Sequence, residues 1–216
     1  MNYRIIRSAK RRRAAFRVGK DSCLEILVPQ KLSDSAVAQM VSANRDVIAR
    51  LLARVPKRIL LDFSEGSTFM LLGTPYPLRF TQRLRIFDNA FLIPRGTTAE
   101  IKSSIISLYK ELALAIIRKR LPVFQEKTGA FAEKIRISSA NTRWGSRSST
   151  GTISFSWKLI QCPLECVDYV IVHELSHQKE MNHSAKFWSH VALALPDYQQ
   201  KRQKLNAFAA RLPIWD

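Results

Sequence analysis

All four histidines of this chain lie between positions 173 and 190, and three fall in one run, His173-Glu174-Leu175-Ser176-His177-Gln178-Lys179-Glu180-Met181-Asn182-His183. His173 and His177 stand at i and i+4, so on a helix their imidazoles share a face one turn apart, with Glu174 beside them, about 100° round the axis. The stretch that carries them is otherwise apolar almost all round. Leu164, Val167, Ile171 and Leu175 form one stripe, Val170 and Val172 extend it, and Pro163 is well placed to open the helix. A helix of that kind is buried, and polar rings on it need partners.

A metal ion is such a partner. Catalytic zinc takes three protein donors and keeps a fourth position for water. His173 and His177 supply two, and His183 is the choice for the third, because the chain must leave the helix after His177 and turn back. Met181-Asn182 suits that turn, since Asn tolerates left-handed backbone. Glu180, three residues past His177, is the competing donor, and His190 reads as a surface or packing residue. A single Zn2+ polarises a carbonyl and acidifies its water. Glu174 is then the carboxylate that takes the water's proton and hands it to a leaving amine. Amide hydrolysis by water, without a covalent intermediate, is the chemistry this pattern points to. Arg143, Tyr169 and Tyr198 are the candidates for stabilising the charge that develops on the carbonyl oxygen.

With 216 residues, 46% of them hydrophobic, the chain can bury a core as one large or two small domains. No apolar run approaches the length of a membrane span, and the basic N-terminus lacks the apolar stretch of a signal peptide. Cys23, Cys162 and Cys166 form no disulfide framework. A cytoplasmic setting is therefore expected, with Cys162 and Cys166 as buried thiols in preference to metal ligands. The formal charge is +18, from 35 Lys+Arg against 17 Asp+Glu, and the run Lys10-Arg11-Arg12-Arg13 lies in a stretch without acids. Such a surface either attracts polyanions, nucleic acid or nucleotides among them, or is simply solvated; charge does not separate the two.

Along the chain, residues 1–95 read as a β-rich N-terminal region with one helix, and residues 96–216 as the catalytic region. Ala14–Val18 and Leu24–Val28 flank Gly19-Lys20-Asp21-Ser22 as a hairpin. Ser33 or Ser35 caps a helix whose stripe runs from Val37 to Leu52, with Pro56 beyond its end. Phe69–Leu72 turns through Gly73-Thr74-Pro75 into a strand over Tyr76–Phe87, and Asp88-Asn89 turns into Ala90–Ile93. In that long strand Arg79, Arg83 and Arg85 share one face by the period of two; the row either binds phosphates or is a solvated face. Thr97-x-x-Glu100 is a capping box for a helix carrying Ile101, Ile105, Leu108, Leu112 and Ile116, and Pro122 and Gly129 bracket a short helix after it. Ile135–Ser138 and Thr152–Leu159 pair as strands around a loop with Arg143-Trp144-Gly145-Ser146. Ser184 or Asn182 caps a helix that ends before Pro196, and a last helix covers about Asp197 to Arg211.

The order of these pieces resembles the YgjP-like family of zincin metallopeptidases, relatives of the SprT-type proteins. The resemblance is carried by Thr142-Arg143-Trp144-Gly145-Ser146, Ile153-Ser154-Phe155-Ser156-Trp157, Leu159-Ile160, Pro163, the run Asp168 to His177, Asn182-His183-Ser184, and Phe187-Trp188. It implies an α+β fold with a zincin-like core around the His-Glu-x-x-His helix, one zinc on His173, His177 and His183, and Glu174 as the catalytic residue. It also implies that Arg143, Trp144, Gly145 and Ser146 line the cleft, where an extended peptide or protein substrate adds to a sheet edge. Two positions depart from the family pattern: Arg147 stands where a cysteine usually follows Trp-Gly-Ser, and Ser156 where an asparagine precedes the second tryptophan. The expected function is zinc-dependent peptide hydrolysis. The alternatives are a metal-dependent phosphohydrolase that grips anionic substrates such as nucleotides with the arginine row, and a nucleic-acid-associated protein whose zinc stabilises the fold.

Overall fold

The computed structural model describes residues 3–19, 23–53, 61–213 and 215. The expected turn at Lys20-Asp21-Ser22 and the helix-ending Pro56 lie outside them. The chain packs as two compact units, Met1–Leu60 with Pro213–Asp216, and Leu61–Leu212.

In the first unit β3 (Leu24–Pro29) is central, with β1 (Tyr3–Ser8) parallel on one side and β2 (Ala15–Val18) antiparallel on the other. The antiparallel pairing of β2 with β3 is the one the sequence predicts. Leu24, Ile26 and Val28 are buried against Val37 and Ile48, which belong to two helices, α1 (Asp34–Ala43) and α2 (Arg45–Ala53). Ser33 caps α1 through the Ala36 N–H. The single helix expected here breaks at Asn44, whose side-chain amide donates to the Met40 carbonyl at 2.8 Å. Asn competes well for backbone partners in this way, while the apolar stripe continues across the break. Part of the N-terminal charge is engaged within the unit: Arg17 grips Glu25 with Nε at 2.9 Å and Nη2 at 2.5 Å, and Arg7 reaches Asp34 at 2.5 Å.

The second unit opens with four strands, β4 (Thr68–Leu71), β5 (Thr74–Phe80), β6 (Arg85–Phe87) and β7 (Ala90–Ile93), in the order β4-β5-β7-β6. Both tight turns place two residues in the left-handed region, Leu72 and Gly73 at φ 49° and 84°, Asp88 and Asn89 at φ 50° and 52°. That backbone matches the twist of paired strands. The expected strand over Tyr76–Phe87 is not continuous. Thr81 N–H still donates to the Ile93 carbonyl at 2.9 Å, but Thr81 Oγ1 donates to the Arg83 carbonyl at 2.8 Å and accepts from the Arg83 N–H at 3.2 Å, and residues 82–84 leave the ladder. Arg79 and Arg85 therefore flank β7, both in register with Leu92, and Arg83 sits in the connection. The arginine row does not form. Arg79 lies 3.5 Å from Asp88, and the Arg85 guanidinium covers the Phe87 ring at 4.6 Å.

Thr97 and Glu100 form the expected capping box at the start of α3 (Thr98–Thr128), which runs 31 residues to a left-handed Gly129 at φ 61°. Pro122 lies inside this helix and does not open a new one; apolar packing of Ile117, Leu121 and Phe124 outweighs the one backbone bond a proline removes. A second sheet follows, with β10 (Thr152–Ser156) between parallel β8 (Lys134–Ser138) and antiparallel β9 (Gly145–Arg147). The expected strand to Leu159 ends early, and Trp157–Gln161 wind into a 3-10 helix. Three helices complete the unit: α4 (Leu164–Ser176), α5 (Ala185–Ala194) and α6 (Tyr198–Ala209).

Helix α4 is packed by α3, α5, α6 and β9, and its Val167, Ile171, Val172 and Leu175 are wholly buried. Two devices fix its placement. Arg120 of α3 forks onto Asp168, Nε to Oδ1 and Nη2 to Oδ2, each at 2.7 Å. Just ahead of its N-terminus, the Leu72 and Gly73 N–H groups donate to the Ile160 and Gln161 carbonyls at 2.8 and 3.1 Å. A Cβ on Gly73 would come within 2.9 Å of Cγ of Pro163, the residue that opens α4. The sequence-based boundary at 95–96 differs from the division by packing. Strand β7 rests on α3 and β4 on the 3-10 helix, so the second strand group belongs with the helices that follow. The α+β class is as expected, and no helix among the described residues is long and apolar enough to cross a membrane.

Candidate active site

His173 and Glu174 stand in the last turn of α4 and His177 closes it as the C-cap. The chain then returns. His177 Nδ1 donates to the Glu180 carbonyl at 3.1 Å, Asn182 Oδ1 accepts from the Ser184 N–H at 3.0 Å, and Ser184 caps α5 through Phe187. The return is an Asx turn and does not use left-handed backbone at Asn182; the described non-glycine residues with positive φ are Leu72, Asp88 and Asn89. It brings His183 back onto the helix. His183 Nε2 lies 3.0 Å from His173 Nε2, and one ligand atom from each of His173, His177 and His183 lies within 4.8 Å of the others. Among the described residues this trio is the cluster able to hold a metal ion. Glu180, the competing third donor, meets His177 through its backbone carbonyl. Cys162 and Cys166 are buried elsewhere, their thiols pushed up to about 12 and about 11 chiefly by burial, and so stay protonated.

The donor set fits a four-coordinate ion. Bonds of about 2.0–2.1 Å in tetrahedral geometry would put two nitrogens roughly 3.3–3.4 Å apart; the His173–His183 pair stands at 3.0 Å, and the trio within 4.8 Å. Bonding of His177 Nδ1 to a carbonyl leaves Nε2 as its free donor, the usual orientation of a ligating histidine. His173 Nδ1 is buried without a hydrogen-bond partner. Phe187, wholly buried at the start of α5, touches all three imidazoles, with ring centroids 4.9, 4.6 and 4.8 Å from those of His173, His177 and His183. Trp188 stacks on His183 at 5.8 Å. The i, i+4 and i, i+5 distances from His183 to these aromatics were available in the sequence, but nothing there said that one ring would serve three histidines.

The carboxylate of Glu174 is buried, at 4% exposure, and faces β9. Strand β9 is the edge of its sheet, and Gly145 lies directly over Glu174: a Cβ there would stand 2.5 Å from Oε1 and 2.7 Å from Cγ. The glycine is thus required by the closeness of strand and carboxylate. By the two-residue alternation of a strand, Arg147 shares the inner face with Gly145, and Ser146, paired with Ser154, is turned to the other face. Arg143, Trp144 and Gly145 line a cleft of about 230 Å³ with Tyr169, His173, Glu174 and Arg202, and Ser146 is not among its walls. Tyr198 stacks on Trp188 in the neighbouring hollow. Arg147, noted in the sequence only as a departure from a pattern, lines a second hollow with His177 and Met181, its Nη2 donating to the Phe131 carbonyl at 2.9 Å and its Nη1 buried and unpartnered.

Burial dominates the electrostatics. It raises the Glu174 carboxyl to about 7, against the opposing pull of Arg143 and Arg147. It lowers His173 to about 3, with His177, His183 and Arg202 adding to the effect, and lowers His177 as well. Burial therefore favours neutral rings at His173 and His177, beside a carboxyl able to take or release a proton near neutrality, the protonation states that metal binding and general-base work require.

The family description "YgjP-like, metallopeptidase domain" matches residues 12–208. No curated protein matches the chain. Solved structures similar to it include two metallopeptidase zymogens. One is the metallopeptidase zymogen abylysin of Pyrococcus abyssi, 21% identical over 45% of this chain and 99% of that one, with a TM-score of 0.41. The other is the metallopeptidase zymogen jannalysin of Methanocaldococcus jannaschii, 19% identical over 43% and 95%, with a TM-score of 0.38.

Proposed function

The chain belongs to the YgjP-like metallopeptidases, and from that premise we propose that it hydrolyses peptide bonds with one zinc ion held by His173, His177 and His183 and with Glu174 as general base. Zinc in such a site acidifies a bound water and polarises the scissile carbonyl. Glu174 takes the proton from the attacking water and delivers it to the departing amine. Its burial supports that role, because a carboxyl near neutrality both accepts and returns a proton readily. The free edge of β9 offers backbone N–H and C=O groups to an extended peptide, and Gly145 lets that strand lie against the carboxylate. Arg143 and Tyr169, on the walls of the same cleft, are the candidates for holding the carbonyl oxygen. The observation that carries the proposal is the convergence of three imidazoles from two stretches of chain beside one buried carboxylate.

The test pairs metal analysis with a peptide-library cleavage assay. Glu174→Gln should keep wild-type zinc content and lose at least about a thousandfold in kcat. His183→Ala should lose most of the metal, and chelation should stop cleavage until zinc is restored. Wild-type turnover by Glu174→Gln, or full zinc in His183→Ala, would overturn the assignment.

A further inference from the structure

We propose that the cleft beside Glu174 selects substrates bearing a carboxylate next to the scissile bond, read by Arg143 and Arg202. This deepens the peptidase reading above and rests on it. Arg143 enters from the loop before β9 and Arg202 from α6, and both line the cleft of about 230 Å³ that also contains His173 and Glu174. Among the described residues neither arginine is in a salt bridge with a carboxylate, whereas Arg7, Arg17, Arg79, Arg95 and Arg120 all are. The acid that shares the cleft is Glu174 itself, and its carboxylate is covered by Gly145. Arg143 acts on that one buried carboxyl without pairing with it, so the cleft sets two guanidiniums against a single acid.

Arg202 is also preorganised. Its guanidinium lies over the Trp188 ring, 4.9 Å from the centroid, and Trp188 is stacked on Tyr198 at 5.3 Å with the rings 15° from parallel. Such stacking suits a planar cation and limits the rotamer freedom that binding would otherwise have to remove. Asn206, one turn along α6, adds a polar group to the same wall. The guanidinium fork matches a carboxylate with two parallel hydrogen bonds. The second hollow, on the His177 side, contrasts with this one: there Glu133 stands with Arg147, so the charges balance. Selection for an anion belongs to the Arg143–Arg202 side. The carboxylate has two sources, an Asp or Glu side chain or the C-terminus of the peptide, and both present the same chemistry.

The experiment uses the zinc-loaded full chain and a set of quenched peptides of one length that differ at single positions, Glu, Gln or Lys, each made with a free or an amidated C-terminus. A Glu peptide, or a free-acid peptide, should exceed its Gln or amide counterpart in kcat/KM by roughly tenfold to a hundredfold. That ratio should fall towards one in Arg143→Gln and Arg202→Gln, and Arg202→Glu should shift preference towards Lys. Side-chain dependence assigns the carboxylate to Asp or Glu; dependence on the free terminus assigns it to the chain end. Equilibrium binding of the same peptides to Glu174→Gln should follow the same order and weaken with added salt. Cleavage without any preference for a carboxylate, or a preference untouched by both Gln variants, overturns this inference and leaves the peptidase reading standing. Failure to cleave any peptide overturns both.

Discussion

At Gly145 the missing side chain matters more than any that could be present. An added methyl would stand 2.5 Å from Oε1 of Glu174, so either the carboxylate swings away or the edge strand lifts. Gly145→Ala should therefore lower kcat by roughly a hundredfold, the usual consequence of misplacing a reacting group by about an ångström, while zinc content stays at the wild-type level. Normal turnover by the Gly145→Ala enzyme would show that the carboxylate is not held where the strand confines it. The same residues set a pH response in the metal-free protein. His173 sits at about 3, below its ordinary value, so its contribution to stability is complete above about 6.5 and is lost as pH falls towards 3; the lowered His177 acts in the same direction. Glu174 sits at about 7, above its ordinary value, so its contribution is complete below about 4.5 and is lost as pH rises to 7. The slopes oppose each other between about pH 4.5 and 6.5. In Glu174→Gln only the histidine slope survives, up to about 1.4 kcal/mol per pH unit for each fully linked group. The stability of this variant, measured by urea denaturation at about pH 5, 6 and 7, should fall more steeply with acid than that of wild type. Identical pH slopes would contradict the buried setting of this carboxyl. The pentad made the grouping of His173, Glu174 and His177 at one end of a helix legible in advance, because i, i+4 geometry is local. The partners that arrive across space, Gly145 from the sheet and Phe187 from the next helix, had no local signature of their role.

Among the elements, α4 depends on its clamps. The Arg120–Asp168 fork is mostly buried, with Asp168 at 11% side-chain exposure, and removing one partner strands the other. Asp168→Asn should cost roughly 2–4 kcal/mol, measured by denaturant unfolding, whereas replacing both residues with apolar ones should recover much of it. A neutral single substitution would show that packing alone holds the helix. Capping residues read well from sequence: Ser33, Thr97 with Glu100, and Ser184 each cap the helix expected of them. Breaks read poorly where the hydrophobic period continued through them. Asn44 divides a helix whose stripe is unbroken, and Thr81 ends a strand whose alternation carries on through Leu84. In both places one side chain bonded to nearby backbone decides the outcome, and periodicity is blind to that. Pro122 misled in the opposite sense, since a long buried face carries a helix past a residue that would end an exposed one.

For the molecule as a whole, the proposed ion should bind the folded chain and not the unfolded one, so zinc adds stability by mass action. At free zinc a thousandfold above the dissociation constant the gain is about 4 kcal/mol, or roughly 10 °C for a chain of this size. Calorimetry with chelator should show a downward shift of that order, reversed by added zinc; an unchanged transition would mean that the fold does not hold the ion. Composition left room for a core and the family resemblance implied an α+β fold, yet the strand-rich region giving way to helix placed the division at 95–96. Packing places it after Leu60, because β7 packs on α3 and β4 on the 3-10 helix, and β5 and β6 go with them as members of the same sheet. The ring of Phe187, in touch with all three imidazoles, has a further consequence. Imidazoles braced on a common wedge cannot tilt singly, so the gap between them widens or narrows in one movement. Trimming that wedge would first blur discrimination between cations of different radius, and only later cost the capacity to retain one.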